Sequence, residues 1–446
     1  MKKIFRFFIP PEKRSDIAEQ ALVKKRYAYW RWRTFFGMYS GYAMFYLTRK
    51  SFNAAKPALM EGLGLTITDL GILGTAFSLA YGLSKFLSGV LGDRSNPRYF
   101  MGIGLIVTGV LNLIFGAAST IWVFLVLWAL NGCFQGWGWP PCAKLLTHWY
   151  SQNERGRWWG LWNTSHNLGA FVIPVIVTWA IGAFSWRSGM YIPGIIAILG
   201  GLGVIYTLRD TPQSMGLPPI EKFRKDDPDG APVDEKIKLS SKEILVKYVF
   251  KNVYIWLLAI AYFFIYFLRE GVNEWMQMFF TQSCGFSLGQ ANVGLSFFEA
   301  GGFLGSLAAG WISDRIFNGN RGPVNVLFSM GILGMLAVLW MTPQGHVTFA
   351  TFAMFLTGFM IFGPQMLIGM AAVERSHKNA AGTASGFVGW FAYLGSAAAG
   401  WPLSKIKQVA GWGPVFVALA GCAIVAILLL LPLWSKKRDP EYAEAI

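Results

Sequence analysis

The sequence of 446 residues predicts an all-α polytopic membrane protein, with twelve transmembrane helices in two pseudo-symmetric six-helix bundles. Three observations predict it. Apolar residues make up 54% of the chain and charged ones only 14%, against about 25% charged in an ordinary soluble domain. Long apolar runs recur twelve times, most near the roughly 20 residues, or about 30 Å of helix, that a bilayer core requires. The second six runs repeat features of the first at a nearly constant spacing, the mark of a duplicated bundle.

Residues 1–33 hold ten of the 39 lysines and arginines and read as a cytoplasmic N-terminal segment. Phe5 to Ile9 is too short for the apolar core of a cleavable signal peptide, so the first helix is expected to be retained. Runs at 34–56, 68–91, 99–118, 121–149, 158–184 and 189–208 form the N-terminal bundle, 34–208. In the fourth, Gly136-Trp137-Gly138-Trp139-Pro140-Pro141 predicts a bent or opened helix, tolerable only where neighbours satisfy the freed backbone. Residues 209–250 read as a cytoplasmic linker, rich in turn residues such as Thr211-Pro212 and Gly216-Leu217-Pro218-Pro219. Within it Ser240-Ser241-Lys242-Glu243 predicts the cap of a short surface helix. Runs at 250–280, 289–312, 323–342, 347–372, 380–403 and 412–434 form the C-terminal bundle, 251–434, and residues 435–446 a cytoplasmic tail.

The formal charge of +16 would suit a nucleic-acid binder, but its placement indicates topology. Cations concentrate in the N-terminal segment, the linker, the tail and the loops after the second, fourth, eighth and tenth runs, which by the positive-inside rule puts both termini in the cytoplasm. Cys133, Cys142, Cys284 and Cys422 lie in or beside the runs without paired spacing, which suits burial better than disulfide or metal.

Ser88-Gly89-Val90-Leu91-Gly92-Asp93-Arg94 after the second run answers Ala309-Gly310-Trp311-Ile312-Ser313-Asp314-Arg315 after the eighth, and Leu168-Gly169 answers Leu394-Gly395. Arg269 follows Arg49 by 220 residues, so two repeat-equivalent helices each carry an intramembrane arginine. A charge there is expensive and by default functional. A pseudo-two-fold axis along the membrane normal is expected to set the pair across one central cavity. Guanidinium forks suit a tetrahedral dianion gripped from two sides; the alternative is that each arginine neutralises a glutamate of its own bundle. The other internal charges are Lys50, Lys85, Glu270, Glu274 and Glu299. Lys50 diverges from Arg49 around the helix, which allows it to pair with Glu274 or Glu299 while the arginines face substrate.

His166 lies mid-run, where an imidazole donates to a phosphate oxygen or serves as a hydrogen-bonded structural group. Lys85 is an auxiliary cation of the cavity wall or reaches toward the cytoplasmic end. Tyr42, Tyr46, Tyr266, Tyr393 and Asn163 are candidate sugar or phosphate contacts, with packing as the alternative reading of the aromatics. Asp93, Arg94, Asp314 and Arg315 sit at helix ends and read as gating loops. No phosphate loop, zinc spacing or nucleophile elbow occurs, so neither an enzyme nor a cofactor is expected.

The motifs Tyr46-Leu47-Thr48-Arg49-Lys50, Tyr81-Gly82-Leu83-Ser84-Lys85-Phe86, Asp93-Arg94-Ser95-Asn96-Pro97-Arg98, Trp162-Asn163-Thr164-Ser165-His166-Asn167 and Gly319-Asn320-Arg321-Gly322 resemble the major facilitator superfamily and, within it, the organophosphate:phosphate antiporters. Lys50-Ser51-Phe52-Asn53-Ala54-Ala55 is most similar to the hexose-phosphate, UhpC-like branch. The resemblance implies the major facilitator fold in a bacterial inner membrane, with one chain as the working unit. It implies exchange of hexose 6-phosphate, chiefly glucose 6-phosphate, for inorganic phosphate; the alternative is a glucose-6-phosphate sensor signalling to a two-component histidine kinase. It assigns Arg49 and Arg269 to the substrate phosphate, Lys85 and His166 to accessory positions, and Lys50 to an ion pair that exchanges between Glu274 and Glu299. Glu274 stands where the glycerol-phosphate branch has aspartate, and Phe362 where that branch has tyrosine.

Overall fold

Helices account for the apolar runs one by one in the computed structural model, which describes residues 11–12, 14, 17, 19–93, 95–224, 249–375 and 381–435. In chain order they are α1 (Gln20–Leu63), α2 (Ile67–Asp93), α3 (Pro97–Ala117), α4 (Ile121–Gln135), α5 (Trp139–Trp149), α6 (Gln152–Ala183), α7 (Ser188–Thr207) and the short α8 (Ile220–Arg224). Then come α9 (Val253–Ser283), α10 (Leu288–Arg315), α11 (Arg321–Trp340), α12 (Val347–Glu374), α13 (Ala381–Ala398), α14 (Trp401–Ala410) and α15 (Trp412–Leu430). The architecture is all-α, with no strand among the described residues. The capping segment expected at Ser240-Ser241-Lys242-Glu243 lies outside those residues.

Among the described residues ten stretches are long and apolar enough to cross a membrane. The two other expected spans are not among them. The first lies within α1, whose 44 residues include Arg49, Lys50 and Lys56. The eleventh, expected at 380–403, divides into α13 and α14 at Ala399 and Gly400, where Pro402 enters the first turn of α14. The expected opening of the fourth span is present: α4 stops at Gln135 and α5 starts at Trp139.

Hydroxyl groups of α2 close both breaks. Ser88 Oγ donates to the Gly136 carbonyl at 2.7 Å and Ser84 Oγ to that of Cys133. Thr75 Oγ1 donates to the Ala397 carbonyl at 2.7 Å and accepts from the Trp401 N–H at 2.8 Å. In hydrocarbon an unsatisfied peptide group costs several kcal/mol, about what such a bond recovers.

The chain forms two compact units, Met1–Phe52 with Ala80–Lys236, and Asn53–Leu79 with Ile237–Ile446. In the first, α3 and α7 meet at small residues: a Cβ on Gly109 would lie 2.6 Å from the Gly194 carbonyl oxygen, and one on Gly201 2.7 Å from that of Gly102. Residues 209–224 dock on this unit through Leu217 and Ile220, buried with Tyr27 and Trp149, and through Lys144–Asp210 at 3.1 Å. In the second unit α10 and α12 interlock, since a Cβ on Gly301, Gly305 or Gly358 would strike the facing backbone carbonyl. Small residues at such seams let backbones approach without a competing hydrophobic drive.

The second unit also holds the end of α1 and the start of α2. Lys56 Nζ lies 3.5 Å from Glu274 Oε2, Gln277 Nε2 donates to the Ala54 carbonyl at 2.7 Å, Ser78 and Ser396 hydroxyls meet at 2.9 Å, and Thr68 Oγ1 donates to Gln408 at 2.7 Å.

Candidate functional site

Each unit builds the same aromatic ladder ending in an arginine. On α1, Tyr42, Tyr46 and Arg49 lie on one helix face at spacings of four and three residues. The two tyrosine rings are 5.8 Å apart, and the Arg49 guanidinium carbon is 5.2 Å from the Tyr46 ring and 4.3 Å from that of Tyr81. On α9, Tyr262, Tyr266 and Arg269 repeat the pattern 220 residues later. Here the ring pair is 4.8 Å apart, and Arg269 lies 5.5 Å from Tyr266 and 5.0 Å from Phe362. Aromatic faces attract a guanidinium without removing its charge.

Glycine contacts bring the flanking helices to these ladders. A Cβ on Gly169 of α6 would collide with the Ala43 carbonyl of α1, and one on Gly395 of α13 with the Phe263 carbonyl of α9. One turn before Gly169, His166 therefore reaches to 5.5 Å from the Tyr46 ring, and Trp162 to 4.9 Å from Tyr42. Two residues before Gly395, Tyr393 sits 5.8 Å from Tyr266. The opposite face of α1 is fixed by buried amides: Gln135 Nε2 donates to the Phe45 carbonyl at 3.1 Å and to Thr48 Oγ1 at 3.0 Å, and Asn112 Nδ2 to Ser51 Oγ at 3.1 Å.

The first unit thus gathers Tyr42, Tyr46, Arg49 and His166. Lys85 lies half-buried with its Nζ 5.5 Å from the Trp139 ring, Asn163 is half-buried on α6, and Lys50 is buried. The second unit gathers Tyr266, Arg269 and Tyr393. Arg269, only 3% exposed, also contacts a carboxylate of its own helix, with Nη1 at 3.5 Å from Glu270 Oε1. Their positions on the helix diverge, yet both side chains are long enough to converge. Glu299 is buried and accepts from Asn273 Nδ2 at 3.1 Å; Asn273 in turn accepts from Asn53 Nδ2 at 3.4 Å.

Two residues of this arrangement escaped the sequence analysis. Tyr262 completes the second ladder and donates to the Gln365 carbonyl at 2.8 Å; the repeat spacing applied to Tyr42 finds it. Lys56, fully buried, pairs with Glu274 and packs 4.3 Å from the Trp275 ring. Its position at the end of the first apolar run disguises it as a boundary residue, although α1 continues to Leu63.

At the far end of α10, Asp314 pairs with Arg321, which also holds Glu374 at 3.0 Å, while Arg315 is exposed. Arg94 and the Asp93 side chain lie outside the described residues.

Against known proteins, the profile of the Major Facilitator Superfamily matches residues 38–400. The chain is 52% identical to a "Probable hexose phosphate transport protein" of Chlamydia trachomatis over 442 residues, 96% of each chain. It is 50% identical over 419 residues to "Membrane sensor protein UhpC" of Escherichia coli, covering 94% of this chain and 95% of that one. Among solved structures, a bacterial homolog of the human lysosomal transporter Spinster superposes with a TM-score of 0.73 at 14% identity, over 93% of this chain and 98% of the other. That likeness is one of fold.

Proposed function

The chain belongs to the major facilitator superfamily, and from that premise we propose that it carries hexose 6-phosphate, chiefly glucose 6-phosphate, across a membrane in exchange for inorganic phosphate. The observation that carries the reading is the duplicated ladder, Tyr42-Tyr46-Arg49 and Tyr262-Tyr266-Arg269. Each bundle supplies one arginine backed by aromatic rings, Arg269 buried and Arg49 half-buried. A guanidinium is never neutral in a protein and offers planar pairs of donors to phosphate oxygens. Tyrosine rings and hydroxyls suit a sugar, which has both apolar C–H faces and polar edges.

In this reading Arg49 and Arg269 ligate the phosphate, and Lys85 and His166 assist. Tyr42, Tyr46, Asn163, Tyr266 and Tyr393 contact the sugar. Lys50 exchanges between Glu274 and Glu299 as the protein reorients, and Asp93, Arg94, Asp314 and Arg315 act in gating. Both phosphates bind the same arginines, so either stabilises reorientation and the two fluxes are coupled. The protein works as a monomer in a bacterial inner membrane with both termini cytoplasmic, the orientation its cation distribution favours. Proteoliposomes loaded with inorganic phosphate are expected to take up labelled glucose 6-phosphate. Equally fast uptake without internal phosphate overturns the exchange.

The identity to a membrane sensor supports a second reading, in which the same ladders bind sugar phosphate and the protein signals to a histidine kinase. Purified protein that binds glucose 6-phosphate but shows no counterflow would favour it.

A further inference from the structure

Three arginines converge on the C-terminal end of α7. Arg33 Nη2 donates to the Tyr206 carbonyl at 2.9 Å, Arg209 Nη1 donates to the same oxygen at 3.1 Å and to that of Leu208 at 2.6 Å, and Arg98 Nε donates to the Ile205 carbonyl. Arg33 and Arg209 also share one indole, their guanidinium carbons 4.9 and 5.0 Å from the Trp30 ring. Arg33 lies 4.7 Å from the Tyr206 ring as well, and Arg98 5.0 Å from that of Tyr99.

Capping a helix does not account for this much charge. A helix C-terminus presents about half a negative charge, and three guanidinium groups bring three positive ones. Among the described residues no carboxylate pairs with any of the three. The adjacent Asp210 is held by Lys144 at 3.1 Å, and Glu154 by Arg31 at 2.6 Å and Arg224 at 3.0 Å. Burial, then the like charges of Arg98 and Arg33, lower the Arg209 pKa from its ordinary value. Each guanidinium has five N–H donors, and the bonds named above, with Arg33 Nη1 to Tyr29 Oη at 2.6 Å, occupy a minority of them. All three arginines are half-buried, at the start of α3, the end of α7 and the edge of the first apolar run, and Tyr29, Trp32, Phe36, Leu202 and Tyr206 beside them are exposed.

We propose that Arg33, Arg98 and Arg209 bind the phosphate group of an anionic membrane lipid, with its acyl chains along the exposed apolar flank. The chemistry is shared with free phosphate; the apolar side chains continuing from the cluster toward the membrane select the lipid. Basic clusters at span ends read as lipid headgroup sites on this ground.

The test places full-length protein in phosphatidylcholine nanodiscs doped with phosphatidylglycerol and counts, by native mass spectrometry, the lipid retained on release. Wild-type protein is expected to enrich phosphatidylglycerol. Arg33→Gln, Arg98→Gln and Arg209→Gln are each expected to cut its retention by about fivefold, the worth of one interfacial cation. Lys24→Gln and Lys25→Gln, which remove the same charge from exposed positions on α1, are expected to leave it unchanged. No enrichment by wild-type protein, or equal loss in both sets, overturns the proposal, as does displacement of the lipid by millimolar inorganic phosphate. All three arginines also hold the end of α7, so a second measurement separates lipid binding from folding: wild-type protein is expected to melt higher with phosphatidylglycerol than without it, and Arg33→Gln, whatever its own melting temperature, to lose that difference. An equal rise in both overturns the site.

Discussion

Arg49 and Arg269 show why side-chain shape matters as well as charge. A lysine at either place keeps the positive charge but offers a compact ammonium where phosphate oxygens meet a planar fork. Arg49→Lys and Arg269→Lys are therefore each expected to weaken glucose 6-phosphate binding by roughly tenfold or more, taking about 1.4 kcal/mol per decade, measured by calorimetry on purified protein. Lys56 poses the converse problem, because its value lies in what it neutralises. Lys56→Met takes from buried Glu274 the cation 3.5 Å away, and breaking such a pair costs about 3 to 5 kcal/mol. Lys56→Met with Glu274→Gln removes both charges and is expected to melt above Lys56→Met alone in detergent. The two arginines were legible in the sequence because a cation amid apolar residues stands out. Lys56 was not: hydropathy places the run's edge there, and only the continuation of α1 to Leu63 puts it inside.

At the level of helices, closeness of approach decides which side chains meet. Gly169 and Gly395 let α6 and α13 press on the backbones of α1 and α9, and His166 and Tyr393 reach the ladders for that reason. Gly169→Leu and Gly395→Leu are expected to lower both thermal stability and sugar-phosphate binding, since overpacking costs about 1 to 3 kcal/mol and displaces the helix. Gly421→Leu, with nothing within reach of an added Cβ, is expected to change neither. The matching of these two glycines was readable from the repeat, but their role needed coordinates, because nothing local distinguishes a seam glycine from one facing lipid. The break in the fourth span was equally readable, from two prolines beside two glycines. The break at Ala399 and Gly400 was not, since its compensating hydroxyl, Thr75, lies far away in sequence.

For the molecule as a whole, the repeat foretold the twelve-helix architecture and an arginine at the equivalent place in each half, because duplication copies sequence and fold together. It suggested division at the linker, whereas the grouping of contacts assigns 53–79 to the unit that contains the later helices. Hydrophobic patterning carries no information on this point: the clasp is made of Lys56, Thr68, Thr75 and Ser78, polar groups whose partners only tertiary structure reveals. If the chain is expressed as two polypeptides divided within residues 225–248, with an affinity tag on the second only, the first is expected to be recovered with it in mild detergent. Recovery is expected to fall when Lys56→Met and Thr75→Val are combined in the first polypeptide.

A gene split at the middle would therefore not yield two self-sufficient products. The leading product would expose the hairpin made by the end of one helix and the start of the next, with an ammonium and three hydroxyl groups turned toward lipid until its sibling arrived. Cells making such a pair would have to match the two syntheses closely in time and amount, or lose the surplus to membrane proteases.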